Sequence, residues 1–220
     1  MRARQIAVFL GAAMMATWAM LLSAPVPSAS AQPCPDVEVV FARGTGELPG
    51  VGGVGQAFVD ALRSQVGGRS VGVYAVNYPA TDDFSNSASA GANDASAHVQ
   101  YMAANCPNTR MVLGGFSQGA VVIDVITSAA GVPLPYGLVS APMPPKVADH
   151  VAAVAVLGNP SSRGPGGPLT AISPLYGAKA VDLCMPGDPV CSNGVDSSAH
   201  LQYVESGMPR QAATFAASRL

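Results

Sequence analysis

The pentapeptide GFSQG at residues 115–119 joins two short apolar runs, residues 111–113 and residues 120–123. The first run is typical of a buried strand, and the second is typical of the first turns of a helix. A chain that passes from strand to helix in so few residues turns sharply, and the two glycines remove the Cβ atoms that would collide there. The pattern therefore predicts that Ser117 projects from the carboxyl edge of a sheet, in the position of a nucleophile.

Strand and helix patterns alternate along most of the chain. Besides the run before Ser117, strands are predicted at residues 37–42, 71–78, 151–157 and 180–184. Helices are predicted after Ser117 and at residues 55–66, 88–105, 200–205 and 209–219. The strand patterns are apolar without polar alternation, which indicates an α/β fold with a parallel sheet covered by helices on both faces. A chain of 220 residues without an internal repeat favours one domain.

Residues 1–31 differ in kind from the rest of the chain. Two arginines precede an apolar run, residues 6–22, and the sequence ASA follows at residues 29–31. This is the order of a secretory signal peptide, so we expect cleavage after Ala31 and an exported domain of residues 32–220. A retained membrane anchor is the alternative, because the run is long enough to insert. No later stretch is long and apolar enough to span a bilayer, so no stable membrane span is expected after cleavage.

The charge balance narrows the class of partner. The formal net charge is −2, and only 11% of residues are charged, against about 25% in an average soluble protein. This mild, slightly acidic composition argues against nucleic acid or an anionic membrane as a partner. Nothing in the sequence indicates an oligomer, and we expect a monomer.

Four cysteines follow the predicted signal: Cys34, Cys106, Cys184 and Cys191. An even number in an exported chain implies two disulfides, for which three pairings are possible. The short spacing of the last two favours a local bridge, which leaves Cys34 with Cys106. A zinc site is the competing interpretation, but no C-x-x-C pair or histidine cluster supports it, and no metal is expected.

A nucleophilic serine needs a histidine that accepts its proton. Of the three histidines, His98 precedes the serine and falls in a predicted helix. His150 falls just before a predicted strand, at the edge of the sheet opposite to the one where such active sites lie. His200 follows the last predicted strand and a loop, and it is the predicted base.

The carboxylate that orients this histidine has several candidates. Asp124 falls on the serine's own helix, and Asp182 lies inside a predicted buried strand. Asp188 lies in the sequence CMPGDPVC, where prolines and a local disulfide would hold it in place, whereas Asp196 lies in a freer polar run. A catalytic carboxylate needs fixed placement because its work is orientation, so Asp188 is the predicted acid.

The oxyanion formed during acyl transfer needs two or more preorganised donors. The N–H of Gln118, directly after the nucleophile, is one of them. A second donor is expected from the loop after an early strand, where the sequence FARGTGE falls at residues 41–47. Thr45 offers both an N–H and a hydroxyl there, although an ordinary turn threonine explains the same pattern equally well.

Four stretches of the sequence resemble the cutinase family, most closely its secreted actinobacterial branch of cutinase-like esterases. They are GGFSQGA, CPNTRMVLGGFSQG, VVFARGT, and CMPGDPVC followed by a histidine. The resemblance covers nearly all of the exported chain, from about Cys34 to the C-terminus. It implies a compact α/β-hydrolase with a mostly parallel central sheet of about five strands and helices on both faces.

The resemblance also implies roles for individual residues. It makes Ser117 the nucleophile, Asp188 the acid and His200 the base. It makes Thr45 and Gln118 the oxyanion donors, and so favours a donor role for Thr45 over that of an ordinary turn threonine. The disulfides that it implies are Cys34–Cys106 and Cys184–Cys191, and it implies no cofactor.

The function expected from residues and resemblance together is a secreted serine esterase or lipase, extracellular and either free or associated with the cell wall. It would hydrolyse short- to medium-chain acyl esters or lipid esters through an acyl-enzyme. Two alternatives stay open: an envelope acyltransferase that uses the same triad, and a catalytically silent exported binding protein.

The sequence departs from the family pattern at two places. The loop before His200, SNGVDSSA, keeps only Val195 and Ala199 where cutin-degrading fungal members have more apolar residues, which argues against a preference for long chains or polymer. Residues 129–145 look longer than in compact members and contain Leu134, Tyr136, Leu138 and Val139. We interpret this segment as a partial lid or an extra wall for the acyl chain.

Overall fold

Five strands form one sheet in which every pair of neighbours runs parallel. They are β1 (Val37–Ala42), β2 (Val71–Ala75), β3 (Arg110–Phe116), β4 (Val151–Leu157) and β5 (Ala180–Leu183). The order across the sheet is β2-β1-β3-β4-β5. The computed structural model describes residues 33–220, so the predicted signal and its cleavage site lie outside the described residues.

Five α-helices accompany the strands in the described part of the chain. They are α1 (Gly52–Arg63), α2 (Phe84–Asn105), α3 (Gln118–Thr127), α4 (Leu169–Ile172) and α5 (Met208–Ala217). None of them is long and apolar enough to cross a membrane. The predicted α/β architecture, with a parallel sheet of about five strands between helices, is confirmed.

Two apolar cores lie on opposite faces of the sheet, because successive side chains of a strand point to opposite sides. Val40 of β1 joins the core formed with α2 and α3. Its neighbour Phe41 joins the core formed with α1 and α5, where its ring centroid lies 5.9 Å from that of Phe58. Strands buried on both faces explain why the sequence shows apolar runs rather than alternation.

Several predicted boundaries are wrong. The helix predicted at residues 55–66 lies at Gly52–Arg63, and the one predicted from residue 88 begins at Phe84. The strand predicted at residues 71–78 ends at Ala75, because Phe41 is its last partner on β1 and the chain then leaves the sheet. The helix predicted at residues 200–205 is a single 3-10 turn, Ala199–Leu201. Gly207, with a φ of 76°, separates this region from α5.

Both predicted disulfides form. Cys34–Cys106 joins the residues before β1 to the end of α2, with Cα atoms 5.6 Å apart. Cys184–Cys191 closes the loop after β5, with Cα atoms 5.7 Å apart. The first bridge lies at the amino-terminal edge of the sheet and the second at the carboxyl edge, next to the predicted acid.

The segment of residues 129–145 leaves the end of α3 and doubles back on itself. Pro133 and Val139 form an isolated antiparallel bridge, and the tip of the segment lies between them. At this tip the Tyr136 ring stacks on Phe84, the first residue of α2, with centroids 4.5 Å apart. The tip therefore reaches the end of α2 that lies nearest to the carboxyl edge of the sheet.

Candidate active site

Ser117 occupies the turn between β3 and α3 with φ 55° and ψ −119°, a conformation that residues with a side chain rarely adopt. The glycines on either side make this turn possible. A Cβ atom on Gly115 would lie 2.2 Å from the carbonyl oxygen of Gly119, and one on Gly119 would lie 2.0 Å from that of Ala42. The sharp turn predicted from the two glycines is therefore present, and it sets the serine at the carboxyl edge of the sheet.

Ser117, His200 and Asp188 form an unbroken chain of hydrogen bonds. Ser117 Oγ lies 2.9 Å from His200 Nε2, and His200 Nδ1 lies 2.8 Å from Asp188 Oδ2. When Nδ1 carries the proton that it donates to the carboxylate, Nε2 is free to accept the serine proton. His200 lies on the 3-10 turn Ala199–Leu201, and Asp188 lies inside the loop closed by the second disulfide.

The Asp188 carboxylate is fully buried and is surrounded by donors. Besides His200, the Tyr203 hydroxyl donates to Oδ2 at 2.8 Å, and the Val190 N–H donates to Oδ1 at 2.8 Å. Tyr203 in turn accepts the Met185 N–H at 3.0 Å. Burial raises the pKa of the Tyr203 hydroxyl, which keeps it in the protonated form that donates.

Tyr203 is a residue of the site that the sequence interpretation missed, because it fell in a stretch taken for helix. Its position three residues after His200 was the available signal, since both side chains reach Asp188. Phe116, the residue before Ser117, packs on both rings, with its centroid 5.0 Å from that of His200 and 5.1 Å from that of Tyr203. These aromatic contacts fix the plane of the imidazole.

The two predicted oxyanion donors follow neighbouring strands. Thr45 comes after β1 and Gln118 after β3, and the register pairs Ala42 with Gly115 at the same edge. Within residues 33–220 neither backbone N–H makes a hydrogen bond. The N–H of Gln118 is at the first position of α3, where helix geometry provides no partner.

The loop that carries Thr45 is held by two charged side chains that the sequence interpretation did not single out. Glu47 accepts the N–H groups of Gly44 at 2.6 Å and Gly53 at 2.7 Å. Arg43, which is buried, donates through Nε to the Glu47 carbonyl oxygen at 2.8 Å. Both contacts fix the loop without using the Thr45 N–H.

The three carboxylates that were not predicted to be the acid have surroundings different from those of Asp188. Asp196 is exposed and accepts the N–H and hydroxyl of Ser198, which lowers the pKa of its carboxyl. Asp182 accepts from Asn159 and from the Leu169 N–H. Asp124 is buried in α3 and has no hydrogen-bond partner for either oxygen among the described residues. None of the three contacts a histidine.

The rejected histidines lie away from the serine. His98 of α2 is paired with Glu38 of β1 at 2.6 Å. His150 is the residue before β4, at the amino-terminal edge of the sheet. A cluster of Cys184, Asp188 and Cys191 has the spacing of metal ligands, but the disulfide consumes both thiolates and leaves one carboxylate. These residues do not fit a metal ion.

The chain is similar to known proteins of one family. The cutinase family model matches residues 33–220. Carboxylesterase Culp1 of Mycobacterium bovis is 57% identical over 213 residues, covering 94% of this chain and 92% of that protein. Phospholipase Culp4 of Mycobacterium tuberculosis is 54% identical over 218 residues, covering 99% of this chain and 93% of that protein.

Solved structures share the fold. The catalytic core domain of acetyl xylan esterase from Trichoderma reesei is similar at a TM-score of 0.71 and 25% identity, covering 86% of this chain and 100% of that one. Trichoderma reesei cutinase in complex with a phosphonate inhibitor is similar at a TM-score of 0.63 and 30% identity, covering 84% of this chain and 76% of that one. Sequence and structure agree, and the predicted resemblance is confirmed: the chain belongs to the cutinase family and is a carboxylic ester hydrolase.

Proposed function

We propose that the protein is a secreted serine esterase in which Ser117 is the nucleophile, His200 the general base and Asp188 the orienting acid. The observation that carries this proposal is the unbroken chain of hydrogen bonds from Ser117 Oγ through both imidazole nitrogens to the buried carboxylate. Two free backbone N–H groups, on Thr45 and Gln118, lie at the same edge of the sheet and support it.

The reaction follows from this arrangement. Ser117 Oγ attacks the ester carbonyl carbon while His200 Nε2 takes its proton, and the N–H groups of Thr45 and Gln118 stabilise the oxyanion. The C–O bond to the alcohol breaks as His200 returns the proton to the leaving oxygen. Water then attacks the acyl-enzyme, gives its proton to His200 and releases the acid, and Ser117 regains its proton.

The surroundings of the site favour an apolar acyl group. Three large apolar side chains in the segments that carry the site residues are exposed: Leu48 at 84%, Val195 at 94% and Leu201 at 80%. Leu48 follows Thr45 in the donor loop, and the other two flank His200. Exposed apolar side chains in these segments favour lipid esters or esters of short to medium acyl chains. The relatives named carboxylesterase and phospholipase support the same substrate class.

The proposed location is extracellular. Two disulfides and the cutinase family suggest an extracellular enzyme, because such bonds persist in oxidising surroundings. The signal pattern of residues 1–31 adds a route of export.

The test is hydrolysis of p-nitrophenyl esters from acetate to palmitate by the full chain, expressed with export into an oxidising compartment. We expect the highest kcat/KM at short or medium chains. Ser117→Ala should reduce the rate at least ~10⁴-fold, because the acyl-enzyme can no longer form. Activity that survives in Ser117→Ala would overturn the proposal. Transfer of the acyl group to an added alcohol in preference to water would show an acyltransferase.

We propose further that residues 129–145 form part of the wall of the acyl site. The stacking of Tyr136 on Phe84 carries the tip of this segment towards the carboxyl edge. Deletion of residues 132–140 should change the preference for acyl-chain length. Unchanged relative rates across the ester series, in a variant that folds, would show that the segment is only a connection.

A further inference from the structure

Residues 78–81, with the sequence YPAT, lie between β2 and α2 and contact both sides of the oxyanion site. We call them the bridging segment. One of its neighbours is the loop that carries Thr45, and the other is the first residue of α3, Gln118.

Tyr78 and Ala80 of the bridging segment are attached to the Thr45 loop. The Gly46 N–H donates to the Ala80 carbonyl oxygen at 2.8 Å, and Arg43 Nη2 donates to the Tyr78 carbonyl oxygen at 2.7 Å. The Tyr78 hydroxyl donates back to the Arg43 carbonyl oxygen. Hydrogen bonds therefore flank Thr45 on both sides and leave its own N–H unused.

Thr81, the last residue of the segment, is attached to Gln118 by a closed ring of three hydrogen bonds. Gln118 Nε2 donates to the Thr81 carbonyl oxygen at 2.9 Å. The Ser87 hydroxyl donates to Gln118 Oε1 at 2.8 Å and accepts the Thr81 N–H at 3.2 Å. Gln118 is fully buried and Ser87 nearly so. Both ends of the Gln118 amide are thereby used, which fixes the side chain in one orientation.

The backbone of the bridging segment is itself constrained. Ala80 has a φ of 53°, in the left-handed region that residues other than glycine rarely occupy. Such a conformation persists only where the surrounding contacts determine it. Here the carbonyl of Ala80 is the acceptor for Gly46, so the unusual backbone serves the link to the Thr45 loop.

We propose that the bridging segment sets the separation of the two oxyanion donors, and that Ser87 is a positioning residue that acts through Gln118. The inference rests on the proposed function of Thr45 and Gln118. The Thr45 loop is bound to Tyr78 and Ala80, and Gln118 is bound to Thr81, so a shift of one donor relative to the other would strain the hydrogen bonds of the segment. Ser87 joins the ring from α2 and prevents the Gln118 side chain, and the peptide N–H beside it, from rotating.

The test compares Ser87→Ala with Ser89→Ala in the exported full chain. Both serines lie on α2, but the Ser89 hydroxyl donates only to the Ser85 carbonyl oxygen of its own helix. With p-nitrophenyl butyrate we expect Ser87→Ala to lower kcat ~10- to 100-fold with KM within about 2-fold, because a misplaced donor weakens only the transition state. Ser89→Ala should keep the kcat of the parent protein.

Two further variants distinguish a positioning role of Ser87 from a simple contribution to stability. Ser87→Thr keeps the hydroxyl and should recover much of the kcat. Gln118→Met removes the amide and keeps the backbone N–H, so if Ser87 acts through Gln118 the double variant should lose no more than the worse single variant. A purely structural Ser87 would lower the unfolding midpoint of Ser87→Ala and leave kcat per folded molecule unchanged.

The outcomes also distinguish this inference from the proposed function. If the parent protein has no activity that Ser117→Ala removes, the proposed function fails. If that activity is present, two results would overturn the inference alone: equal kcat in Ser87→Ala and Ser89→Ala, or losses in Ser87→Ala and Gln118→Met that multiply in the double variant.

Discussion

Two carboxylates, Asp188 and Asp124, are buried to the same extent and have opposite surroundings. Each has an exposed fraction of 0%. Asp188 accepts hydrogen bonds from His200, Tyr203 and Val190, whereas neither oxygen of Asp124 has a partner within residues 33–220. Burial without donors raises the pKa of Asp124 to about 8. Burial without donors thus favours the protonated form of Asp124, whereas the donors around Asp188 hold its side chain in a position to orient a histidine.

The surroundings of Asp188 and Asp124 differ because one residue lies in a loop and the other in a helix. Asp188 lies in a loop, where the N–H of Val190 is free to turn towards it. Asp124 lies inside α3, whose N–H groups are used by the helix itself. Ser161 and Asn159 lie close enough to offset part of its pKa shift but do not complete a hydrogen bond.

The largest effect is expected at the carboxylate with donors. Asp188→Asn should lower kcat by ~10³- to 10⁴-fold, because the amide no longer selects the histidine tautomer that accepts the serine proton. The measurement is kcat for p-nitrophenyl butyrate, with Asp124→Asn as the matched control that keeps kcat near that of the parent. A similar loss of kcat in both variants would show that the donors around Asp188 do not distinguish it from Asp124.

The next effect concerns stability and pH at Asp124. Its pKa is about 8 in the folded protein against 3.8 for the ordinary group, so the folded state holds a proton that the unfolded state releases. The stabilisation of the folded state by proton binding at Asp124 is therefore complete below pH 4 and is lost as the pH rises towards 8. Between pH 5 and pH 8 this amounts to about 4 kcal/mol in the free energy of unfolding.

Urea unfolding of the parent and of Asp124→Asn across that range measures this loss. The variant cannot ionise at this position, so its free energy of unfolding should fall less with pH. Asp182, the other acidic group near Asp124, also has a raised pKa because of burial, and Asp182→Asn serves as the second reference. Equal pH dependence in the parent and Asp124→Asn would show that Asp124 is ionised in the folded state.

The smallest effect is expected from the loss of the Tyr203 hydroxyl, one of the groups that donate a hydrogen bond to Asp188. Tyr203→Phe removes the hydroxyl that donates to Oδ2 and accepts from Met185, which should cost about 1.5–3 kcal/mol in the free energy of unfolding. We expect kcat to fall by about 10-fold, because the imidazole keeps its acid but the acid is held less firmly. Tyr101→Phe, at an exposed tyrosine, is the control. No change in either quantity would mean that two donors suffice.

The sequence was informative where the position of a residue depends on chain order or on a local turn. Ser117 follows from the glycines around it, His200 from its place after the last strand, and Asp188 from the prolines and cysteines around it. The alternation of apolar runs likewise predicted the parallel sheet and the two helical layers. Each of these inferences uses residues that are close in sequence or fixed in order.

Contacts across long separations could not be predicted in this way. Ser87 meets Gln118 across 31 residues, and Arg43 meets Tyr78 across 35. Only the packing of loops at the sheet edge brings them together, and a serine on a helix or an arginine in a turn has many ordinary explanations. The end of β2 was misjudged for the same reason, since it is set by where pairing with β1 stops, at Phe41.

The disulfide between Cys184 and Cys191 has a consequence for when the enzyme becomes active. Asp188 lies inside the ring that this bond closes, with its Oδ2 3.2 Å from the Cys191 sulfur. The bond forms only where thiols are oxidised. If Asp188 acts as proposed, we expect a newly made chain in a reducing compartment to lack this closure around Asp188, and hydrolysis to begin only after the bond has formed.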